Sequence, residues 1–413
     1  MLANFWAEAL AFAPKCLQHS CETVCCNIRN HKQGRKHMSN SAWPEFKTES
    51  THQIHEDVRH YYGRVLTDKN DLKTSACCIA ESVPQWQKAY LSKVHPEILA
   101  KFYGCGSPLP SDITGLTVLD LGCGTGRDVY LLSQLVGETG QVIGVDMTEE
   151  QLSVARKHED WHRQQFGYAR SNVSFRAGYI EDLRTADIQT GSIDLIISNC
   201  VVNLSPRKDL VFAEMRRVLK KGGELYFSDV YADRRIPAKL KNDQVLYGEC
   251  LSGALYLGDF RRLMLQAGFA DPRVISSAEL ELTDPTVTDR VGQIGFFSNT
   301  VRAFALDLED ACENFGQVAL YNGSSEQGPH QFQLDDHHIF PTGAHVPVCG
   351  NTADMLSLTR FRKFFTIYGN KENHLGLFNC APQAVLNVNS KPSARSETRP
   401  GAKSAAKTKS GCC

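Results

Sequence analysis

Hydrophobic and polar positions settle into a repeating order from about residue 117. Short apolar runs alternate with stretches that have helical spacing. The predicted strands are residues 118–121, 141–145, 173–176, 193–198 and 224–230. Continuous apolar runs of this length are typical of parallel strands that are buried on both faces. The pattern therefore predicts an α/β fold, a doubly wound parallel sheet with right-handed crossovers.

Two of the intervening helices carry starting signals. Thr148 and Gln151 have the spacing of a capping box, in which the side chains at both positions bond to the first helical turn. Ser205 stands directly before Pro206, a residue that suits the first position of a helix. We expect one helix after Thr148, and another that begins after Ser205 and stops at the glycine pair 222–223.

The flanking regions have other patterns. Residues 1–50 show no apolar period and predict a disordered leader, with an organelle-targeting peptide as the alternative. Helices are expected at 52–66 and 85–102. The predicted organisation is a leader (1–50), a domain that contains the doubly wound sheet (51–232), a segment with a less regular pattern (233–291), a smaller α+β C-terminal domain (292–381) and a disordered basic tail (382–413). Within the C-terminal domain we expect strands at 296–306, 317–322 and 364–368.

Composition narrows the class of protein. The chain has 413 residues, of which 42% are hydrophobic and 22% charged, and its formal net charge is −1. These values are typical of a globular protein and give no support to a nucleic-acid or membrane partner. The odd count of 15 cysteines argues against a disulfide framework and for free thiols in a reducing compartment. We expect a cytoplasmic monomer.

The most informative local motif follows the first predicted strand. It reads Asp120-Leu-Gly122-Cys-Gly124-Thr-Gly126, and a helix begins directly afterwards. Glycines let the backbone turn sharply and let a ligand approach the main chain. Asp146 ends the second strand, where an acid can accept hydrogen bonds from ribose hydroxyls. Glu181 follows the third strand, near the expected position of a bound adenine.

The glycine spacing differs from that of dinucleotide-binding folds, and the preceding carboxylate suits an amino group better than a pyrophosphate. Over residues 115–230 the combination resembles class I S-adenosylmethionine-dependent methyltransferases. The resemblance implies a Rossmann-like sheet and S-adenosylmethionine as cofactor. The residues it implies in cofactor binding are Asp120, Gly122, Gly124, Gly126, Asp146, Met147, Ile180, Glu181 and Asn199.

Separated cysteines accompany this motif. Cys200 directly follows the fourth strand, and Cys250 lies in the segment after the fifth strand, which can cover the same edge of the sheet. Cys105 and the Cys77-Cys78 pair precede the glycine motif. Several thiols around a methyl donor favour a soft, thiophilic ion as the acceptor. The spacings do not fit a zinc knuckle, and zinc has no lone pair to methylate, whereas trivalent arsenic has one.

With these cysteines the chain resembles the arsenite methyltransferases, from about residue 58 to 271 and more weakly to 380. The resemblance rests on Tyr61-Tyr62-Gly63, the segment around Cys105, Ser198-Asn199-Cys200-Val201, residues 222–231 and Gly248-Glu249-Cys250. It implies methylation of arsenite, or of its thiol conjugates, to methylarsenicals for detoxification. It also implies four functional thiols: Cys77, Cys105, Cys200 and Cys250.

Within that resemblance, Cys105, Cys200 and Cys250 are expected to hold arsenic. Cys77 and Cys105 are our candidates for a redox pair that thioredoxin or glutathione reduces, with Cys78 as the alternative to Cys77. Two other functions stay open: a methyltransferase for another small molecule, in which Cys200 is a pocket wall, and an arsenic-binding protein without catalysis.

The other cysteines receive simpler interpretations. Cys123 is expected to pack within the glycine turn, and Cys312 and Cys349 to be buried or incidental. Cys380 is a C-terminal thiol of unknown role, and Cys412-Cys413 is a vicinal pair on the tail.

Overall fold

The structure is a computed structural model that describes residues 48–65, 85–102, 104, 108–241, 243, 246–247, 250–282 and 284–380. Cys77, Cys78, Cys105 and the predicted tail lie outside these residues, as does the predicted leader up to residue 47. The main sheet contains β1 (Thr117–Leu121), β2 (Gln141–Asp146), β3 (Val173–Ala177), β4 (Ile193–Asn199), β5 (Leu219–Ala232), β6 (Leu255–Tyr256), β7 (Arg273–Glu279) and β8 (Phe296–Phe304).

The order of these strands confirms the predicted doubly wound sheet. It runs β3-β2-β1-β4-β5-β8-β7, and the short β6 pairs with the end of β5. Strands β1 to β5 pair in parallel, whereas β8 is antiparallel to both β5 and β7. The strand order reverses beside β1, so a crevice forms at the carboxyl ends of β1 and β4. Ligands bind at this position in open α/β sheets.

Helices cover both faces of the sheet. They are α1 (Thr48–His60), α2 (Gln85–Leu91), α3 (Pro96–Ala100), α4 (Arg127–Val136), α5 (Glu149–Lys157), α6 (Glu159–Phe166), α7 (Lys208–Val218), α8 (Ala238–Lys241), α9 (Leu257–Gln266), α10 (Pro285–Val291) and α11 (Gly350–Ser357). Alternation along β1 separates two cores: Leu119 and Leu121 pack with α7 and α9, while Val118 packs with α4. Among the described residues, no helix is long and apolar enough to cross a membrane.

Several boundaries differ from the prediction. Helix α1 begins at Thr48, inside the predicted leader, and a single π-helical stretch continues it over Tyr61–Val65. Helix α7 ends at Val218, so the glycine pair 222–223 lies within β5. The reason is tertiary: Gly222 N–H bonds to the carbonyl of Ala305, and Ala305 N–H bonds to the carbonyl of Gly223. The sequence around the glycines does not reveal this partner strand.

The C-terminal part adds two small sheets. Its elements are β9 (Val318–Tyr321), β10 (Gln331–Gln333), β11 (Ile339–Pro341), β12 (His345–Pro347), α11, a 3₁₀ turn (Arg360–Phe364) and β13 (Phe365–Tyr368). They enclose a separate aromatic core with Tyr321, Phe332, Phe340 and Phe361. The strand predicted at 296–306 is β8 of the main sheet, so the predicted boundary at residue 292 precedes a strand of that sheet.

Candidate active site

A glycine turn after β1 opens a cavity at the carboxyl edge of the sheet. Gly122, Gly124 and Gly126 have φ values of +68°, +52° and +88°, in the left-handed region that favours glycine. At Gly122 a Cβ would also lie 2.4 Å from the side chain of Val201. The turn leads directly into α4, and the free N–H groups at the start of this helix are directed toward the same edge.

Two aspartates stand at the ends of neighbouring strands beside this turn. Asp146 accepts hydrogen bonds from the N–H groups of Gly124 (2.9 Å) and Thr148 (2.8 Å). Burial raises the pKa of Asp146, although these hydrogen bonds oppose the shift. Burial also raises the pKa of Asp120, and the neighbouring charges of Asp128 and Asp146 raise it further. A cationic group entering the cavity would relieve this crowding of negative charge.

Glu181 lies across the cavity and is held by two side chains. Its Oε1 is 3.0 Å from Nε2 of His55 and accepts a hydrogen bond from the hydroxyl of Ser205. His55 also stacks on Tyr179, with ring centroids 4.8 Å apart, and Arg59 donates to the Tyr179 hydroxyl at 2.6 Å. Burial favours the protonated acid, but these hydrogen bonds outweigh it, and the pKa of Glu181 is lowered.

The cavity between these groups is partly open to solvent, and the empty space within it and at its mouth amounts to about 970 Å³. Eight of the nine residues predicted to bind a cofactor line it: Asp120, Gly122, Gly124, Asp146, Met147, Ile180, Glu181 and Asn199. Gly126 is not in the lining, and a Cβ there would lie 2.8 Å from the ring of Phe175. The carbonyl oxygen of the Gln151 side chain is buried in the lining without a hydrogen-bond partner, so it can accept one from a ligand.

Two of the four predicted functional cysteines are described, and they lie together. Cys200 follows β4 and lines the cavity with 2% of its surface exposed. Cys250 is fully buried, and its thiol donates to the carbonyl of Cys200 at 3.4 Å. Cys200 is disulfide-bonded, whereas Cys123, Cys312, Cys349 and Cys380 have free thiols. Cys77 and Cys105 lie outside the described residues.

The half-buried Lys208 and the buried Asp229 lie close to these cysteines. Lys208 donates from Nζ to the carbonyls of Asn203 (3.0 Å) and Ser205 (2.8 Å). Asp229 accepts from the N–H of Asn203 at 3.0 Å. Burial lowers the pKa of Lys208 to about 8 and raises that of Asp229 to about 7. The ammonium group of Lys208 also interacts electrostatically with Asp229 and Cys250.

Comparison with known proteins identifies the family. Residues 113–269 match the family model of a methyltransferase domain, and residues 315–413 match that of the arsenite methyltransferase C-terminal domain. An arsenite methyltransferase of Aquipseudomonas alcaligenes is 54% identical over 326 residues, which are 79% of this chain and 94% of that protein. The chain belongs to the arsenite methyltransferase family. The arsenite methyltransferase of Mus musculus is 42% identical over 314 residues, 76% of this chain and 83% of that protein.

A solved structure extends the family match to the fold. The crystal structure of an arsenic(III) S-adenosylmethionine methyltransferase from Chlamydomonas reinhardtii has a TM-score of 0.70 and 47% identity, and covers 72% of this chain and 100% of that one. The predicted family, the Rossmann-like fold and the S-adenosylmethionine-dependent enzyme class are thereby confirmed. The cavity fits this cofactor, because the buried carboxylate of Asp120 suits a cationic group of the cofactor. The buried side-chain carbonyl of Gln151 can also accept a hydrogen bond from it.

The predicted helix after Thr148 is confirmed, with Thr148 as its N-cap, but the predicted capping box is wrong. Thr148 is the N-cap of α5 without a side-chain hydrogen bond, and Gln151 donates to the carbonyl of Tyr62 at 2.8 Å. Helix α7 begins at Lys208 rather than directly after Ser205. The hydroxyl of Ser205 accepts from the N–H of Arg207 at 3.1 Å, as a cap does, and also donates to Glu181. At both positions a side chain that the local pattern assigned to a helix start also contacts another residue that lines the cavity of the arsenite methyltransferase.

Sequence reasoning also missed lining residues that come from α1 and the adjoining π-helical stretch. His55, Val58 and Tyr62 line the cavity, and His55 positions Glu181. The family-like segment around Tyr61 and Tyr62 was the available signal. It gave no indication that α1 lies against the segment after the third strand, because that contact spans more than 100 residues of sequence.

Proposed function

We propose that this arsenite methyltransferase transfers methyl groups from S-adenosylmethionine to trivalent arsenic held by cysteine thiols, which gives methylarsenicals for detoxification. The observation that carries the proposal is the pair formed by Cys200 and Cys250 at the rim of the cofactor cavity. Thiolates are preferred ligands of soft ions, and a pocket wall would not require a second buried thiol on a separate segment to meet the first.

Different lining residues are assigned to different parts of the cofactor. When bound, S-adenosylmethionine supplies an electrophilic methyl group on a sulfonium centre. Asp120 is placed for its amino group and Asp146 for its ribose hydroxyls, while Met147 and Ile180 offer apolar contacts beside Glu181. The turn at Gly122 and Gly124 lets the main chain approach the ligand closely, and Asn199 closes the side next to Cys200.

The thiols hold the substrate. Arsenic that is bound to three sulfurs keeps one lone pair, and we assign Cys105, Cys200 and Cys250 as the three ligands. Each As–S bond replaces an As–O bond and releases one water. The lone pair carries no proton, so no general base is required at the reacting atom. What the protein must supply is position, at a near-attack distance of about 3–3.5 Å.

Methyl transfer leaves arsenic formally oxidised, so two electrons must restore the trivalent state. A dithiol supplies them when it forms a disulfide. We assign Cys77 and Cys105 to this pair, with Cys78 as the alternative to Cys77, and thioredoxin or glutathione as the reductant in the cytoplasm. Cys200 is disulfide-bonded, so the same reductant must first release its thiol before Cys200 can bind arsenic.

Replacement of Cys250 by serine tests the proposal. The Cys250→Ser variant removes one sulfur ligand and leaves the cofactor lining intact, so we expect at least about a 100-fold loss of arsenite turnover, because displacement of a reacting atom by about 1 Å has an effect of this size. The measurement separates arsenic species after incubation with arsenite, S-adenosylmethionine and a thiol reductant. Binding of S-adenosylmethionine, measured by calorimetry, should be unchanged.

A matched control removes two thiols elsewhere. Cys412→Ser/Cys413→Ser lowers the thiol count at the end of the chain and should retain wild-type turnover. Wild-type arsenite turnover in Cys250→Ser would contradict the assignment and favour another small-molecule substrate. Thiol-dependent arsenite binding by the wild type without any methylated product would favour an arsenic-binding protein instead.

A further inference from the structure

Three free cysteines meet in the C-terminal part of the chain, away from the cavity. They are Cys312, Cys349 and Cys380, and their sulfur atoms all lie within 4.8 Å of one another. None of them lines the cofactor cavity. Such a spacing allows one ion to contact all three sulfurs after small side-chain rotations. The sequence interpretation of Cys312 and Cys349 as incidental does not account for this convergence.

Backbone hydrogen bonds bring together the three segments that carry these cysteines. Phe378 N–H donates to the carbonyl of Cys312 at 2.7 Å, and Gly350 N–H donates to the carbonyl of Glu313 at 2.9 Å. An antiparallel bridge between Glu313 and Leu377 continues the first contact. The cluster is therefore held by the main chain and does not depend on contacts among the thiols themselves.

Cys349 is the deep member of the cluster and has the character of a thiolate. It is fully buried and is the N-cap of α11, where its sulfur accepts from the N–H of Thr352 at 3.4 Å. The pKa of Cys349 is lowered because the thiols of Cys312 and Cys380 donate to it, and Thr352 adds to the shift. The partial positive charge of a helix N-terminus acts in the same direction.

A buried arginine reinforces this preference. Arg273 donates to the hydroxyl of Thr352 at 3.2 Å, and that hydroxyl lies 3.2 Å from the sulfur of Cys349. The guanidinium is also balanced by two carboxylates, Asp271 and Asp335. Cys312 and Cys380 are half-buried, so they form the accessible side of the cluster above an anionic sulfur.

We propose that Cys312, Cys349 and Cys380 form a second binding site for trivalent arsenic, separate from the methylation site. Three thiols satisfy the three bonds of arsenic(III), whereas structural zinc takes four protein ligands. Among the described residues, no histidine, carboxylate or further cysteine completes a fourth position in this cluster. The inference rests on the proposed function only in taking arsenite as a ligand available to this protein.

Binding at this site is an exchange without redox change. Arsenous acid loses three hydroxyl groups and the three sulfurs form three As–S bonds. Three waters leave, with protons from the thiols of Cys312 and Cys380 and a third proton from solvent, because Cys349 reacts as the thiolate. Arsenic stays trivalent throughout. From a glutathione conjugate of arsenic(III), the same exchange releases three glutathione thiols, so the site can accept the ion from either source.

Alkylation of the full-length chain tests the site residue by residue. Reduced protein is treated with N-ethylmaleimide, with and without arsenite and in the absence of S-adenosylmethionine, and modification of Cys312 and Cys380 is read by mass spectrometry. At an arsenite concentration of about ten times the dissociation constant, bound arsenite should slow the alkylation of both cysteines by about tenfold. In Cys349→Ser, where serine keeps a helix-capping oxygen, this joint protection should be lost.

The Cys250→Ser variant is the matched control, because it removes a thiol of the methylation site. Protection of Cys312 and Cys380 should persist in it, even though arsenite turnover falls. Protection that survives in Cys349→Ser would overturn the proposal. Protection of Cys312 and Cys380 by zinc but not by arsenite would also overturn it. So would slow alkylation caused by a disulfide among these cysteines that resists the reductant.

Discussion

Cys200 and Cys250 share a backbone conformation that non-glycine residues rarely adopt. Their φ values are +58° and +61°, and the other non-glycine residues with positive φ in the described part of the chain are Asp112 and Asp187. Such a conformation costs on the order of 1–3 kcal/mol and persists only where the surrounding structure enforces it. Here Cys200 N–H bonds to the carbonyl of Ser228 at 2.9 Å. The strain therefore coincides with the two thiols proposed to hold the substrate.

Gly253 allows the segment that carries Cys250 to pack closely against the turn after β4. A Cβ at Gly253 would lie 2.1 Å from the carbonyl oxygen of Asn203. Gly253→Ala must therefore displace Cys250 from Cys200, and we expect a free energy of unfolding lower by about 2 kcal/mol and a higher KM for arsenite. Urea unfolding and steady-state kinetics measure the two effects.

Gly295→Ala is the control for this substitution, because the nearest atom to its Cβ is an ordinary 3.5 Å away. Its stability and KM should stay close to those of the wild type. Equal effects of the two alanines would show that the contact with Asn203 does not set the position of Cys250.

At the scale of elements, a cluster of histidines joins α3 to α5 and α6. His162 is 1% exposed and stacks on Tyr130 with ring centroids 3.5 Å apart. Its Nδ1 donates to the carbonyl of His158 (2.7 Å), and its Nε2 accepts from the N–H of His95 (3.1 Å). Both nitrogens are satisfied only in the neutral ring. Burial accordingly lowers the pKa of His162 to about 4.

A pH-dependent stability follows from this histidine. Between its folded pKa of about 4 and its ordinary value of 6.5, the unfolded chain binds a proton that the native protein does not. This contribution to the free energy of unfolding is complete above pH 6.5, declines as the pH falls toward 4, and amounts to at most about 3 kcal/mol. His162→Gln keeps a hydrogen-bonding side chain without titration in this range, so its urea midpoint should fall less than that of the wild type between pH 7.5 and 4.5.

His345→Gln serves as the comparison, since His345 is exposed and its removal should leave the wild-type pH dependence in place. If His162→Gln retained the full wild-type loss of stability in acid, the burial of a neutral His162 would not be its source.

At the scale of the whole molecule, one buried carboxylate connects the main sheet with the C-terminal part. Glu224 on β5 is 1% exposed and accepts from Arg302 on β8 and from Arg360 on the 3₁₀ turn, each at 2.6 Å. Arg360 also donates to the carbonyl of Ser111 at 2.7 Å. The three charges hold together segments that lie 78 and 136 residues from Glu224 in sequence. Such an arrangement fixes position, and its disruption exposes a buried charge.

Removal of Arg360 should therefore loosen the attachment of the C-terminal part. We expect Arg360→Ala to lower the free energy of unfolding by about 3 kcal/mol and to raise hydrogen exchange in β9 and β13. Arg362→Ala, at an exposed position of the same turn, should change stability by less than about 0.5 kcal/mol. Similar losses in both variants would mean that charge at the surface of this turn, rather than the contact with Glu224, is responsible.

Local order was readable from the sequence where local interactions determine it. The apolar runs of β1, β2 and β4 are buried on both faces, and the glycines at 122 and 124 are required by left-handed turns. Together with Asp146 and Glu181 they were enough to predict the sheet, the methyltransferase class and most of the cavity lining. The thiols at 200 and 250 then directed the prediction to the arsenite methyltransferases.

What the tertiary structure alone decided are contacts between distant segments. The capping box expected at Thr148 does not form because Gln151 bonds to Tyr62, and the Ser205 hydroxyl bonds to Glu181 as well as to the N–H of Arg207. The glycine pair at 222–223 became part of a strand because Ala305 pairs with it. Cys312, Cys349 and Cys380 are spread over nearly 70 residues of irregular sequence, and only folding brings their sulfurs together. Hydrophobic periodicity shows which face of a segment is buried, but it does not show which distant segment covers that face.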